Sequence, residues 1–212
     1  MKNVIVATPA YDWRVDVRYV DALMQAMVLC AREDVALLPL YAPGDARIDR
    51  ARNFLFSLAM VRGDVSDLLF IDSDTLFAPA SILRLLKHDV EVVGGVVPKK
   101  DGGGTACFKP LRGAVANADG LLEVEAVGAG LLRIRASAMK RLWRASREYR
   151  DGEARGREVF AGGVHRGELE SEDIAMCRKW RLLGGHVYVD TAVSCAHVGA
   201  AVYTLSRGEE KK

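Results

Sequence analysis

The sequence has 212 residues, of which half are hydrophobic and 27% are charged. This composition is typical of a globular domain and excludes both a disordered chain and a membrane protein. Thirty Lys and Arg residues against 28 Asp and Glu residues give a net charge of +2, so no chain-wide positive field indicates a nucleic-acid-binding protein. The length predicts one domain, because domains contain roughly 100 to 200 residues.

Short β-branched segments alternate with longer helical patterns, and this alternation predicts an α/β sheet. In the first hundred residues the predicted strands are Val4–Thr8, Val35–Leu40, Leu68–Ile71 and Val90–Val97. The predicted helices between them are Val15–Arg32, Ala46–Val61 and Pro79–His88. After Pro98 the pattern becomes irregular, and three glycines at 102–104 predict a flexible loop that we expect to close over a ligand.

The second half of the chain predicts shorter elements. They are strands at 106–108, 121–127 and 131–134, a helix at 137–146, a mobile loop at 147–163, a helix at 171–183, a strand at 186–189 and a frayed tail at 204–212. Four widely spaced cysteines predict reduced thiols, because they form neither a Cys-x-x-Cys pair nor a dense disulfide framework. The apolar run Val4–Ala7 is too short for a signal sequence or a membrane span of about 20 residues, so we expect a cytoplasmic protein.

Asp72-Ser73-Asp74 directly follows the apolar strand Leu68–Ile71. Ligands of open α/β sheets bind beyond the carboxyl ends of strands. Side chains two residues apart in an extended segment point the same way, so both carboxylates can converge on one hard cation. That cation would neutralise a diphosphate leaving group. The alternative interpretation is an acidic surface turn that caps the helix beginning at Pro79.

A second acidic motif, Glu170-Ser171-Glu172-Asp173, lies at the start of a predicted helix. Ser171 is a good N-cap residue and acids favour the positive end of a helix dipole, so capping alone accounts for the pattern. A carboxylate here could instead accept the proton of a substrate hydroxyl.

Basic residues are candidates to contact phosphates, since guanidinium and ammonium groups both suit that charge. The candidates are Arg50, Arg52, Lys99 and Lys100, and solvated surface positions are the alternative. Nine Arg or Lys residues against three acids lie between Arg133 and Arg157. This segment is either a solvated surface or a place where a phosphorylated acceptor, an anionic membrane or nucleic acid binds.

Taken in order, these motifs resemble those of the GT-A fold nucleotide-sugar glycosyltransferases, in particular small bacterial and viral family-2-like members with a DxD motif. Val4–Tyr11 is similar to the strand and loop that hold the nucleotide base and ribose. Ile48–Asn53 resembles the helix that offers basic and amide side chains to the nucleotide. Val92–Lys100 resembles the strand and loop after the metal site, and Val127–Leu132 the segment that lines the donor-sugar and acceptor pocket.

The resemblance implies an α/β GT-A (Rossmann-like) fold with a mixed, mainly parallel sheet flanked by helices in a single domain. It implies one catalytic domain over 1–203, with a nucleotide-binding half at 1–100 and a half at 101–203 that completes the acceptor and metal sites, followed by a tail at 204–212. The implied donor-binding residues are Thr8, Pro9, Ala10, Tyr11, Arg50, Arg52, Asn53, Asp72, Ser73, Lys99, Lys100 and Gly130.

The resemblance also implies the chemistry of the site. A late histidine in a His-x-Gly context, here His197, is the third metal ligand beside Asp72 and Asp74, in a set that suits Mn²⁺ or Mg²⁺. Without the resemblance, a lone histidine is usually structural. Asp173 would be the general base, with Glu172 as the alternate.

The function that follows is metal-dependent transfer of a sugar from a nucleoside diphosphate sugar, expected to be a UDP-sugar, to a carbohydrate or other hydroxyl acceptor, with inversion. Peripheral contact with a membrane is compatible with the basic segment. Two alternatives remain open. One is a haloacid-dehalogenase-type phosphatase, whose nucleophile strand is superficially similar to Phe70–Leu76. The other is a non-catalytic nucleotide-sugar-binding or interaction module.

Overall fold

The computed structural model describes residues 1–199 and 201–205, which form fifteen strands and five helices. The strands are β1 (Lys2–Ala10), β2 (Val35–Pro43), β3 (Val65–Ile71), β4 (Thr75–Leu76), β5 (Val92–Val96), β6 (Phe108–Pro110), β7 (Leu121–Val127), β8 (Leu131–Arg135), β9 (Glu148–Asp151), β10 (Ala154–Arg157), β11 (Gly163–His165), β12 (Glu168–Glu170), β13 (Val187–Ser194), β14 (Ala196–Val198) and β15 (Val202–Tyr203). The helices are α1 (Val17–Ala31), α2 (Ile48–Arg62), α3 (Pro79–Lys87), α4 (Ala136–Ala145) and α5 (Glu172–Leu182).

Eight strands form a central sheet in the order β2-β1-β3-β8-β5-β13-β7-β6. Six of them point the same way, and β8 and β7 run in the opposite direction. The predicted mixed, mainly parallel sheet is therefore confirmed. Direct parallel pairing is limited to β2-β1-β3 and β5-β13, because β8 lies between β3 and β5 and pairs antiparallel with both.

Helices cover both faces of this sheet. Residues of α1 and α3 pack on one face, and residues of α2, α4 and α5 pack on the other. The two-residue period of a strand distributes the side chains of β1 between the two cores, since Val4 and Val6 belong to one and Ile5 and Ala7 to the other. Burial on both faces explains why the strands have continuous apolar runs in place of alternation.

The helices of the structure agree with the sequence prediction, and the second half contains more pairing than predicted. The predicted loop from 147 to 163 is wrong, because β9 and β10 form an antiparallel hairpin there. The buried ring of Phe160 packs edge-on against Phe70 and Phe56, which holds the end of this segment on the core. A second hairpin, β11–β12, and a small sheet of β15, β14 and β4 were also not predicted.

Two further predictions concern the whole chain. The four cysteines, all within the described residues, form no disulfide. No helix in the described part of the chain is long and apolar enough to cross a membrane. Of the predicted tail, residues 206–212 lie outside the described residues.

The fully buried indole of Trp180 packs directly against the backbone of Gly185, the third residue after α5, and occupies the space that a side chain there would need. A Cβ atom at Gly185 would lie 2.0 Å from Cε2 of Trp180. We expect Gly185→Ala to lower the free energy of unfolding by about 1–3 kcal/mol, because the tightly packed indole cannot move aside without strain. Chemical denaturation measures this loss. Gly163→Ala is the control, since nothing lies within 4 Å of its added Cβ, and an equal loss in both variants would contradict this account.

Candidate functional site

The Asp72-Ser73-Asp74 motif turns away from the sheet at the carboxyl end of β3. The amide of Asp72 donates to the carbonyl of Gly130, and the amide of Thr75 donates to the carbonyl of Asp72. The chain then forms β4, which pairs with β14 so that Thr75 lies opposite His197. This pairing brings Asp74 and His197 together although they are 123 residues apart, with 3.2 Å between Oδ1 of Asp74 and Nε2 of His197.

The hydrogen bonds of His197 define the role of each ring nitrogen. Nδ1 lies 2.9 Å from the carbonyl oxygen of Pro98, which can only accept, so Nδ1 carries a proton and donates. Nε2 is therefore the ring nitrogen that would bind a metal ion, and it donates to Oδ1 of Asp74 only when it also carries a proton. The ammonium of Lys100 donates to the other carboxylate oxygen of Asp74. Burial would raise the pKa of Asp74, but the bonds from His197 and Lys100 outweigh it and the pKa is lowered.

Asp74 and His197 suit a divalent cation by their chemistry. A carboxylate and an imidazole are a donor pair that Mn²⁺ accepts, and the Lys100 ammonium occupies the second oxygen of the same carboxylate, where it competes with a cation. In the described residues, no group of three or more His, Cys, Asp or Glu side chains is arranged to hold a metal ion. Asp72, Asp74 and His197 therefore do not form the predicted set of three metal ligands. Asp72 is the missing member, because both of its oxygens accept hydrogen bonds from Arg52.

The sequence predicts that Arg52 contacts a phosphate, whereas the structure places it among carboxylates. Its side chain is 3% exposed, and it faces three carboxylates. Nη2 donates to Asp72 at 2.8 and 2.9 Å, Nη1 donates to Glu172 at 2.6 Å, and Nη1 lies 3.9 Å from Asp173. The two acidic motifs of the sequence therefore meet at one guanidinium.

The phosphatase alternative requires Asp72 to act as a nucleophile. That role needs a carboxylate oxygen that is free of the ion pair with Arg52, and both oxygens of Asp72 accept from Arg52.

One guanidinium cannot neutralise three carboxylates, so the group formed by Arg52, Asp72, Glu172 and Asp173, here called the Arg52 cluster, has excess negative charge. Burial raises the pKa of Glu172, with Arg52 opposing that effect and Asp173 adding to it. Burial likewise raises the pKa of Asp72 against the pull of Arg52. The cluster is therefore a place where a proton or a cation is held readily.

Asp173 lies at the first turn of α5. Its Oδ1 accepts from the amide of Ile174 at 2.8 Å and from the hydroxyl of Ser171, and its Oδ2 accepts from the amide of Ala129 at 3.2 Å. Ser171 is the residue before the helix, as predicted, but its side chain makes no cap hydrogen bond to the helix backbone. Capping by Ser171 therefore does not explain this motif.

A cavity of about 720 Å³, open to solvent, lies beside Asp173 and is here called the acidic cavity. Its polar lining includes Asp49, Lys99, Lys109, Glu170, Ser171, Glu172 and Asp173, and its apolar lining includes Ile48, Phe108, Leu169 and Ile174. Carboxylates thus face a space that also has apolar walls. This combination suits a ligand with both hydroxyl groups and a hydrophobic face.

A second groove, of about 420 Å³, lies beside Asp74 and is here called the strand-end groove. It brings together Tyr11, Ser73 and Asp74, three of the residues predicted for donor and metal binding, with Val198 of β14. Lys99 is exposed at the acidic cavity, and Gly130 is buried beside Thr75.

Other predicted donor contacts are engaged within the protein. Thr8 is buried and hydrogen-bonded to the hydroxyl of Tyr19, and Pro9 and Ala10 are also buried. Asn53 is buried and makes two hydrogen bonds with the backbone of Phe160. Arg50 is exposed and forms ion pairs with Asp45 and Asp151. Neither Thr8 nor Asn53 presents a free polar group to a nucleotide.

The sequence did not indicate Lys109, Cys107 or Leu169 as site residues. Lys109 and Cys107 reach the acidic cavity because β6 pairs with β7, and Leu169 reaches it because β11 and β12 form a hairpin. None of these short strands has a sequence motif. The one signal that the sequence offered was Leu169 itself, an apolar residue in a polar segment, which is exposed in the structure.

No family model and no curated protein matches this chain. Solved structures do match it. The structure of A197 from STIV has a TM-score of 0.59 at 12% identity, covering 100% of both chains. The catalytic domain of Drosophila β1,4-galactosyltransferase 7, solved with xylobiose, has a TM-score of 0.52 at 13% identity, covering 90% of this chain and 65% of that one.

At these identities the likeness concerns the fold. Together with the sheet order, it confirms the predicted GT-A-like α/β fold, a mostly parallel central sheet flanked by helices in a single domain.

The Arg52 cluster generates a stability prediction with a defined pH dependence. We expect Arg52→Gln to lower the free energy of unfolding by about 3–5 kcal/mol at pH 8, because it leaves buried carboxylates without a partner. Without Arg52, the already raised pKa of Glu172 rises further above its ordinary value of 4.5. The folded variant then binds more protons than the unfolded one, so its stability falls as pH rises above about 4.5.

The measurement is urea denaturation at pH 5 and pH 8, and the deficit of Arg52→Gln should be smaller at pH 5. Arg62→Gln on the same helix is the matched control, since Arg62 pairs with Asp64 in solvent. That change should cost less than about 1 kcal/mol at either pH. An equal deficit of Arg52→Gln at both pH values would contradict the electrostatic account.

Proposed function

We propose that the protein is a metal-dependent glycosyltransferase that moves a sugar from a nucleoside diphosphate sugar, most simply a UDP-sugar, to an acceptor hydroxyl with inversion. The observation that carries the proposal is the Arg52 cluster, which joins the strand-end motif at Asp72 to the helix-start motif at Glu172 and Asp173. The fold likeness to a galactosyltransferase domain solved with xylobiose supports it.

The strand-end groove is the proposed donor site. Asp74 and His197 would hold Mn²⁺ or Mg²⁺, and the bound ion would neutralise the diphosphate as it leaves. Asp72, held by Arg52, would orient the donor as a hydrogen-bond acceptor. Tyr11 and Ser73 line the same groove, and the exposed Lys99 is available for a phosphate.

The acidic cavity is the proposed acceptor site, with Asp173 as the general base. Oδ2 of Asp173 accepts from the amide of Ala129 at 3.2 Å and lies 3.9 Å from Nη1 of Arg52, contacts that hold the carboxylate beside the cavity. Gly128 and Gly130 lie on either side of Ala129, Gly128 near Asp173 and Gly130 near Thr75 of the metal side. A sugar bound across this segment would have its leaving group and its acceptor at opposite ends, as inversion requires.

Glu172 is the alternate base. Its Oε1 accepts from Arg52, its pKa is raised by burial, and it lines the same cavity. In this alternative, Glu172 in place of Asp173 would accept the proton of the acceptor hydroxyl.

Variants at the metal pair test the donor site. We expect Asp74→Asn and His197→Ala each to weaken Mn²⁺ binding by about tenfold or more. Calorimetric titration with Mn²⁺ in the absence of nucleotide measures this affinity. Lys100→Gln should act in the opposite direction and tighten Mn²⁺ binding up to about fivefold, because the half-exposed Lys100–Asp74 pair competes with the ion. UDP binding that is unaffected by chelator and by Asp74→Asn would refute the metal assignment.

Asp173→Asn tests the base. We expect this change to lower kcat for sugar transfer by roughly 10²–10⁴-fold, because the amide cannot accept the proton, with little change in UDP affinity. The assay is release of UDP in the presence of a panel of hydroxyl acceptors. Asp21→Asn, the same chemical change on the exposed face of α1, is the control. Transfer by Asp173→Asn at the control rate would assign the base elsewhere, with Glu172→Gln as the next variant.

A further inference from the structure

A third pocket, separate from the strand-end groove, continues from the acidic cavity and differs from it in charge. It has a volume of about 470 Å³ and is lined by Lys109, Arg166, Arg178 and Arg181, together with Glu125 and Glu170. We call it the basic groove. Lys109, Glu170 and Ile174 line both spaces, so a ligand can extend from one into the other.

The ion pairs of the basic groove leave positive charge unpaired. Arg178 donates to Glu170 at 2.8 Å, which neutralises the carboxylate shared with the acidic cavity. Arg181 lies 3.4 Å from Glu123, which also contacts His186. Within residues 1–199 and 201–205, no carboxylate lies within ion-pair distance of Lys109 or Arg166. The groove therefore has two more cations than carboxylates among its lining residues, counting Glu125.

The position of Arg166 has a conformational cost. Arg166 and Gly167 form the tip of the β11–β12 hairpin, with φ values of 52° and 83°. Such a two-residue turn favours Asn or Asp before Gly, because a left-handed conformation is strained for most side chains. Arginine is strained in this conformation and Asn is tolerated there, yet the arginine places a guanidinium at the groove.

We propose that the basic groove binds an anionic group, a phosphate or a carboxylate, on the acceptor whose hydroxyl reaches Asp173. This inference rests on the proposed function. The acidic cavity and the basic groove then bind two parts of the acceptor that differ in charge. A neutral sugar lies against the apolar walls of the acidic cavity, and its anionic substituent lies among Lys109, Arg166 and Arg178. Guanidinium groups bind both kinds of anion through paired N–H donors.

The test compares three probes that share one sugar ring and differ at C6: glucose 6-phosphate, glucuronic acid and neutral glucose. Amide NMR titration without donor should show the anionic probes binding about tenfold more tightly than glucose. The shifted amides should be those of Ala126, Arg166 and Gly167. Tighter binding of glucose 6-phosphate would identify a phosphorylated acceptor, and tighter binding of glucuronic acid a carboxylated one.

Arg166→Asn removes the charge while favouring the turn, so it keeps the fold at equal or higher melting temperature. It should abolish most of the preference for the anionic probes. Arg144→Gln on α4 is the control, because it removes a charge from the basic segment away from the groove, and the preference should persist. Equal binding of all three probes, an unchanged preference in Arg166→Asn, or equal shifts along α4 would overturn the proposal.

A separate measurement distinguishes this inference from the proposed function. UDP binding in the presence of Mn²⁺ reports on the strand-end groove alone. Intact UDP binding without a preference for anionic probes overturns the assignment of the basic groove only. Absence of UDP binding overturns the proposed function and, with it, the acceptor role given to the groove.

Discussion

The burial of Arg52 is the constraint on which the rest of the site depends. A guanidinium that is 3% exposed needs carboxylates around it, and these come from the end of β3 and the start of α5. The ion pairs therefore fix how α2, β3 and α5 sit relative to one another. Because three acids share one guanidinium, the same contacts that hold the fold also leave an excess of negative charge at the site.

Much of the fold could be predicted because its signals are local. The apolar runs of β1 and β3 and the helical spacing of α1 and α2 agree with the structure within a few residues. The two acidic motifs were also visible, but their meeting at Arg52 was not. Whether an arginine faces phosphate or carboxylate depends on tertiary contacts that no spacing reveals, so the sequence predicted Arg52 as a phosphate contact, with a solvated surface position as the alternative.

The second half was harder to predict for a related reason. The segment from 147 to 163 has few apolar residues, and two of them, Val159 and Phe160, are fully buried. Asn53, which resembles a nucleotide contact, instead holds the backbone of Phe160. Neither hairpin adds a core of its own, but β11–β12 forms a wall of the acidic cavity and of the basic groove. The balanced charge of the chain is therefore separated in space into an acidic region and a basic one.

The antiparallel insertion of β8 between β3 and β5 affects how the chain emerges from the ribosome. β3 is complete at Ile71 and β5 at Val96, yet neither can pair on that side until Leu131–Arg135 has been synthesised. At roughly 5–20 residues per second, the open edge of an apolar strand is exposed for several seconds. Such an edge can pair with another nascent chain. Synthesis of this protein thus passes through a stage in which the edges of β3 and β5 are open and the central sheet is unfinished.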